Sequence, residues 1–352
     1  MGKVVVITGG TSGIGLGLKE LFEKNGDTVL TFSLDETGDA NHYQGSVDHE
    51  IKVKQVFNDI HERFGSIDML INCAGIGMSA ITEIAPMEQI RKVMEVNFFG
   101  TLNCMRSALP HMNSGARIVN LSSAMALFPV PFRGIYGASK SAILTLSMSM
   151  RMELAHAGID VVAICPGDTK TNFTANRIKD FSSSERYGDR LETATASSDA
   201  KEDKRMDVTQ VVDKIFKVIT KPKTKPFYII GGKYKWIHFL TRITPKSMLI
   251  KATNKKLGGK FEKEVAKSKK NSTPAPAPVE TPTDTVEQSV YTPTLQPEIQ
   301  NTTTQQEPTP QPSVQPASQP TAGATEEKPK LNNILERISI INKPSDSNNN
   351  QE

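Results

Sequence analysis

Apolar residues follow two rhythms along the first 230 positions of this chain. Short continuous runs at 4–7, 28–32, 69–72, 116–121, 160–164 and 227–230 read as strands buried on both faces. Between them apolar residues recur near every 3.6 positions. Val53, Val56, Phe57 and Ile60 set the stripe of a helix over 51–64, and further helices are expected over 16–24, 88–112, 137–156 and 208–219. Strands alternating with helices predict an α/β fold with a doubly wound, mostly parallel sheet and helices on both faces. Ligands of such sheets sit beyond the carboxyl ends of the strands. The first strand runs directly into Gly9, Gly13 and Gly15, and a helical pattern follows. Glycine lets a backbone approach a pyrophosphate, and a helix N-terminus offers free N–H groups and partial positive charge. The spacing is not G-x-G-x-x-G, so these glycines alone are weak support for a dinucleotide site.

The rhythm fades after residue 232, and composition explains why. Residues 221–270 carry fourteen Lys and one Arg against two Glu, a net +13 inside a 352-residue chain whose total is only +4. Residues 271–352 are rich in Thr, Pro, Gln, Asn and Ser and carry −6. So little apolar surface cannot offset ordering entropy, and this tail is expected to be disordered. One island at 331–341 keeps an i, i+3, i+4, i+7 pattern and predicts a short docking helix. The chain therefore divides into a folded domain at 1–232, a basic amphipathic extension at 233–270 and a tail at 271–352. Aromatic and aliphatic residues among the lysines of the extension (Tyr234, Trp236, Ile237, Phe239, Leu240) suit an anionic membrane surface or a packed helix pair. No nucleic-acid motif accompanies them. Cys73, Cys104 and Cys165 lie in apolar runs without metal spacing, which predicts reduced thiols, no metal and a cytoplasmic setting, peripheral to a membrane if the extension docks.

The chemistry concentrates at Tyr136-Gly137-Ala138-Ser139-Lys140. Four residues apart on a helix, Tyr136 and Lys140 share a face. A phenol has an ordinary pKa of about 10, and a nearby ammonium would lower it toward use as a general acid or base. Ser122-Ser123 closes the strand upstream and offers a hydroxyl to the same oxygen.

With Thr8-Gly9-x-x-x-Gly13-x-Gly15, Asn72-Cys73-Ala74-Gly75, Asn97, Ser123, Tyr136-x-x-x-Lys140 and Pro166-Gly167 in order, residues 3–232 resemble the short-chain dehydrogenase/reductase family. The resemblance implies a Rossmann sheet and an NAD(P)(H)-dependent oxidoreductase that interconverts a carbonyl and an alcohol. It implies Tyr136 as acid/base, Lys140 as ribose ligand and pKa-lowering cation, and Ser123 as the substrate-oxygen donor. Asn97 would hold a relay water. Gly9, Thr11, Ser12, Gly13, Ile14 and Gly15 would cradle the diphosphate, and Ser33, Val47, Asn72, Ala74 and Gly75 would face the adenosine. Pro166, Gly167, Thr169 and Thr171 would meet the nicotinamide end. Two positions depart from the family pattern: Cys73 replaces an Asn, and Ser46 stands where many members hold adenine with an Asp. Ser33 would not repel a 2′-phosphate, and with the many NADP(H) enzymes the resemblance includes this tilts the expectation slightly to NADP(H) over NAD(H), although Leu34 supplies no arginine to bind a phosphate and Asp35 lies close enough to oppose it. The likeness to retinoid, steroid and keto-lipid enzymes suggests a lipophilic substrate, against which stands a charged lid expected at 172–206. A homodimer or homotetramer through the helices containing Asn97 and Tyr136 is implied. The competing reading is a cofactor-binding scaffold or sensor acting through the extension and tail.

Overall fold

The computed structural model describes residues 2–180, 186–200 and 205–257. The expectations for 258–270, the tail and its helix at 331–341 lie outside the described residues. In chain order the elements are β1 (Val4–Thr8), α1 (Gly13–Lys24), β2 (Thr28–Ser33), β3 (His42–Gln44), α2 (Glu50–Phe64), β4 (Met69–Asn72) and β5 (Met78–Ala80). Next come α3 (Met87–Met94), α4 (Gly100–Ala108), β6 (Arg117–Leu121), α5 (Gly134–Glu153), β7 (Asp160–Pro166) and β8 (Ile178–Asp180). The chain continues through α6 (Arg190–Asp199), α7 (Val208–Ile219), β9 (Phe227–Ile230), α8 (Gly232–Ile243) and α9 (Lys246–Leu257).

Seven strands make one parallel sheet in the order β3-β2-β1-β4-β6-β7-β9. Val6, Leu30, Leu70, Ile118 and Val161 bury one face against α2 and α4, for example Phe57 and Met105. Val5, Ile7, Met69, Ile71 and Val162 bury the other against Leu18 and Phe22 of α1 and Val211 and Ile215 of α7. Residues 5, 6 and 7 thus point alternately into two separate cores, which is why β1 is continuously apolar. β2 lies on one side of β1 and β4 on the other, so the strand order reverses there and opens a crevice at their carboxyl ends.

Two features depart from the sequence pattern. The helix expected over 88–112 is interrupted by a π-helical turn at Glu95–Phe99 and closes in a 3-10 turn at Leu109–His111. The wider turn swings Asn97 into the interior, where it is fully buried. In addition, β3, β5 and β8 have three residues each, too few to show a period. β5 and β8 pair in parallel as a separate two-stranded sheet, tying the lid segment to the domain.

Candidate active site

A cleft of about 2210 Å³ lies over the carboxyl ends of β1, β2, β4, β6 and β7. Its floor is the turn from β1 to α1. Gly9 adopts φ +65°, and a Cβ there would fall 3.0 Å from the Ala74 backbone. At Gly15 a Cβ would sit 2.2 Å from the Gly9 carbonyl oxygen. Only glycine lets the turn and the helix close so tightly on β4. Ser12 caps α1 without a side-chain bond, and the first turn of α1 holds no acidic residue. The helix N-terminus therefore faces the cleft with free N–H groups, a cradle that fits an anionic diphosphate. Gly9, Thr11, Ser12, Gly13, Ile14 and Gly15 all line it. Thr171, from the loop after β7, comes within 3.4 Å of where a Gly13 Cβ would be, so the loop reaches across the cradle.

At the end of β2, the Ser33 hydroxyl donates to Thr11 Oγ1 at 3.1 Å. Thr11 in turn donates to the Asp35 carboxylate. The ring of His42 hydrogen-bonds the Asp35 carbonyl at 2.8 Å and fixes this loop. Through Thr11 the Asp35 carboxylate is thus tied beside Ser33, a position that sequence spacing alone left open. Nearby, the Ser46 hydroxyl is used up on Asp48, which also pairs with Lys92 at 2.6 Å. Val47 and Lys92 line the cleft next to them.

The opposite half is built on β6 and α5. Because α5 starts at Gly134, Tyr136 stands in its first turn and Lys140 one turn later. Ser123 Oγ accepts from the Met125 N–H at 3.1 Å and lies near enough to the Tyr136 phenol to favour its charged form. Ser122 points elsewhere, donating to the Lys140 carbonyl at 2.7 Å. The Lys140 ammonium, only 4% exposed, donates to the Leu121 carbonyl at 2.9 Å. Burial pushes its pKa down to about 8.

One expectation needs correction. The Tyr136 phenol is shifted up, not down. Burial dominates, opposed first by the Ser123 hydroxyl and then by Arg177 and Arg133. Lys140 is not among those leading influences, because its charge is turned onto the Leu121 carbonyl. Asn97 does not line the cleft. Its Oδ1 accepts from the Ile76 N–H at 2.8 Å, and its Nδ2 donates to the Ile76 carbonyl and to Ser139 Oγ, both at 3.0 Å. Its own carbonyl accepts from Thr101 at 2.7 Å. With these bonds made, Asn97 works as a strap beneath Gly75, whose added Cβ would lie 3.0 Å from Asn97 Oδ1 and 3.2 Å from Lys140 Nζ. Asn72 is likewise interior: its Nδ2 donates to Asn120 at 2.8 Å, pinning β4 to β6, while Ala74 and Gly75 beyond it do line the cleft.

Pro166, Gly167, Thr169 and Thr171 line the far end. The Gly167 N–H donates to the Ile230 carbonyl at 3.0 Å, and Thr169 Oγ1 donates to the Gly167 carbonyl at 3.0 Å. Apolar groups that the motif did not flag close the mouth: Phe128, Phe132, Phe173 and, from α8 and α9, Ile237, Leu240 and Leu249. The Phe173 ring lies 5.8 Å from that of Tyr136. Phe132 stands at φ +60°, a left-handed conformation that costs a bulky residue about 1–2 kcal/mol. Its carbonyl accepts from the Ala80 N–H at 3.1 Å, which holds the strained loop in place. A backbone held there marks a functional constraint that periodicity does not reveal. Among the described residues, no three of His, Cys, Asp and Glu gather to hold a metal ion.

The family model for short chain dehydrogenase matches residues 3–181. The chain is 33% identical over 180 residues to 3-ketodihydrosphingosine reductase of Bacteroides thetaiotaomicron, a match spanning 50% of this chain and 67% of that protein. It is 34% identical over 198 residues to 2-(R)-hydroxypropyl-CoM dehydrogenase of Xanthobacter autotrophicus, covering 51% and 79%. Among solved structures, ElxO with NADP bound is 28% identical and superposes with a TM-score of 0.56, over 67% of this chain and 100% of that one.

Proposed function

Because this chain belongs to the short-chain dehydrogenase family and is an NAD(P)-dependent alcohol dehydrogenase or ketone reductase, we propose that it acts on a lipophilic carbonyl or alcohol at Tyr136, with NAD(H) as preferred cofactor. The observation that carries the substrate reading is the apolar part of the cleft lining: Phe173, whose ring lies 5.8 Å from that of Tyr136, with Phe128, Phe132, Ile237, Leu240 and Leu249. It outweighs the polar lid that the sequence set against a lipid. The cofactor preference rests on Asp35. A carboxylate tied to Thr11 beside Ser33 would repel a 2′-phosphate and accept bonds from a 2′-hydroxyl, which reverses the tilt to NADP(H) that Ser33 alone suggested.

The residues divide the work as follows. Gly9 to Gly15 and the N-terminus of α1 would hold the diphosphate. Ala74 and Gly75 would line the ribose beside them. When bound, the nicotinamide supplies or accepts the hydride. Ser123 would hold the substrate oxygen by its hydroxyl. Tyr136 Oη would give that oxygen a proton in reduction and take one in oxidation. A phenol raised by burial stays protonated through neutral pH, which suits the reductive direction. Lys140 Nζ, held by the Leu121 carbonyl, would bind ribose hydroxyls as a cation below pH about 8. Asn97 would position Ile76 and Gly75 without meeting substrate.

Exposed Phe99 and Met152 on the helices around the site support a homo-oligomer, which light scattering on the purified chain would test. The run of lysines from 233 onward supports a position at an anionic membrane surface. The central reading is tested by following NADH and NADPH oxidation with methyl ketones of rising chain length. Rates that rise with chain length and favour NADH support it. Equal rates on short and long ketones, or faster NADPH oxidation, overturn the corresponding half.

A further inference from the structure

The extension continues as two consecutive helices, α8 and α9, whose side chains divide into two unlike sets. One set belongs to the cleft: Ile237, Leu240 and Leu249 are part of its wall. The exposed set comprises Trp236 (61% exposed), Phe239 (52%), Ile243 (65%) and Met248 (61%). The rings of Trp236 and Phe239 stack at 5.7 Å. Large side chains left in water at this density, on consecutive helices, mark a surface that something apolar covers. The surrounding charge is all of one sign. Lys233, Lys235, Arg242, Lys246 and Lys251 fall in the two helices, and no Asp or Glu occurs between Asp213 and Glu262.

Helix α8 is also fastened to the reaction end of the cleft. Tyr234 donates its hydroxyl to the Asp168 carboxylate in the loop after β7. Its ring rests on Gly167, where a Cβ would fall 2.1 Å from the ring carbons, and lies parallel to Phe128 at 6.5 Å. Whatever holds the exposed set therefore holds the wall of the site.

We propose that the α8–α9 segment docks the enzyme on an anionic bilayer and that lipophilic substrate passes from the bilayer into the cleft along its cleft-lining side chains. The route rests on the lipophilic-substrate reading above; the docking does not. Charge selects the occupant. A second copy of this face would bring lysines against lysines with no acid to pair them. An anionic bilayer neutralises them, while its interfacial zone takes up Trp236 and Phe239.

Trp236 is the chain's single tryptophan, so its emission reports on this face alone. With the full chain, phosphatidylcholine vesicles containing phosphatidylserine are expected to shift the emission to the blue, saturably and less so in high salt. Pure phosphatidylcholine vesicles are expected to leave it nearly unchanged. Phe239→Ser combined with Ile243→Ser should weaken vesicle partition at least about tenfold. The same variant should reduce a short water-soluble methyl ketone normally and lose most activity on a long-chain ketone carried in the vesicles. Unshifted emission on anionic vesicles overturns the docking, as does a fall in oligomer size in the variant with vesicle partition unchanged, which would assign the face to a second copy. A variant that no longer binds vesicles yet keeps the wild-type rate on the vesicle-borne ketone overturns the route. Should neither ketone be reduced by wild type, the substrate reading and the route built on it fall together, and the emission result still decides the docking.

Discussion

The two sides of the cleft are built on opposite plans. On the cofactor side, glycine backbones close to within van der Waals limits and polar side chains are paired: Asn72 with Asn120, Asn97 with Ile76 and Ser139, Lys140 with Leu121. On the substrate side, a loop strained at Phe132, a lid tied down by three-residue strands and helix α8, which has no buried residue, surround the mouth. The first side holds geometry that the chemistry needs within fractions of an ångström. The second needs apolar surface and a way in. Rigidity thus follows chemical demand, and exposed aromatic surface gathers on the helix that lines the mouth.

The comparison can be broken most severely at Tyr136. Tyr136→Phe should lower turnover about 1,000-fold while NADH affinity, read by fluorescence of the bound nucleotide, changes little. A large loss of affinity instead would mean that the phenol belongs to the cofactor side. Lys140→Met should cost about 100-fold in turnover without lowering the melting temperature, because a buried cation is removed with the activity. The pH dependence follows from the same group. Its pKa is depressed to about 8, so it is charged below that and neutral above, and the reduction rate should fall as pH rises past about 8. Between about 8 and its ordinary value near 10.4, the unfolded chain holds this proton more tightly than the folded one. The Lys140 contribution to stability therefore grows with pH across that window and is missing in Lys140→Met.

Smaller effects sharpen the boundary between the two sides. Asp35→Asn should raise NADPH affinity relative to NADH about tenfold, measured by calorimetric titration of both nucleotides, since one charge at the 2′-position is removed. An unchanged ratio would show that Asp35 does not face that position. Tyr234→Phe removes the bond to Asp168 and should cost about 1 kcal/mol in thermal unfolding, with NADH affinity nearly unchanged. A strong effect on affinity would make α8 part of the cofactor side.

Much of the cofactor side was legible in the chain itself. A strand buried on both faces must be continuously apolar, and a turn closing on a neighbouring strand must be glycine, so residues 4–15 declare their structure locally. Tyr136 and Lys140 were legible because helical spacing alone puts them on one face. The roles of Asn97 and Asn72 were not, since a polar residue in an apolar run reads the same whether it meets a ligand or straps two strands together. The three-residue strands β5 and β8 were also hidden, being shorter than any period.

What the sequence determined by itself was therefore the alternation of elements, the parallel sheet, the glycine cradle and the pair on α5, because each depends on neighbours within about two helical turns. Only the tertiary structure decided where charge and apolar surface came to rest. It set the Lys140 ammonium against Leu121, drew the Asp35 carboxylate to Thr11, and turned Ile237 and Leu240 inward while leaving Trp236 and Phe239 outside. Burial, pairing and pKa are set by groups distant in sequence, and only folding brings those groups together.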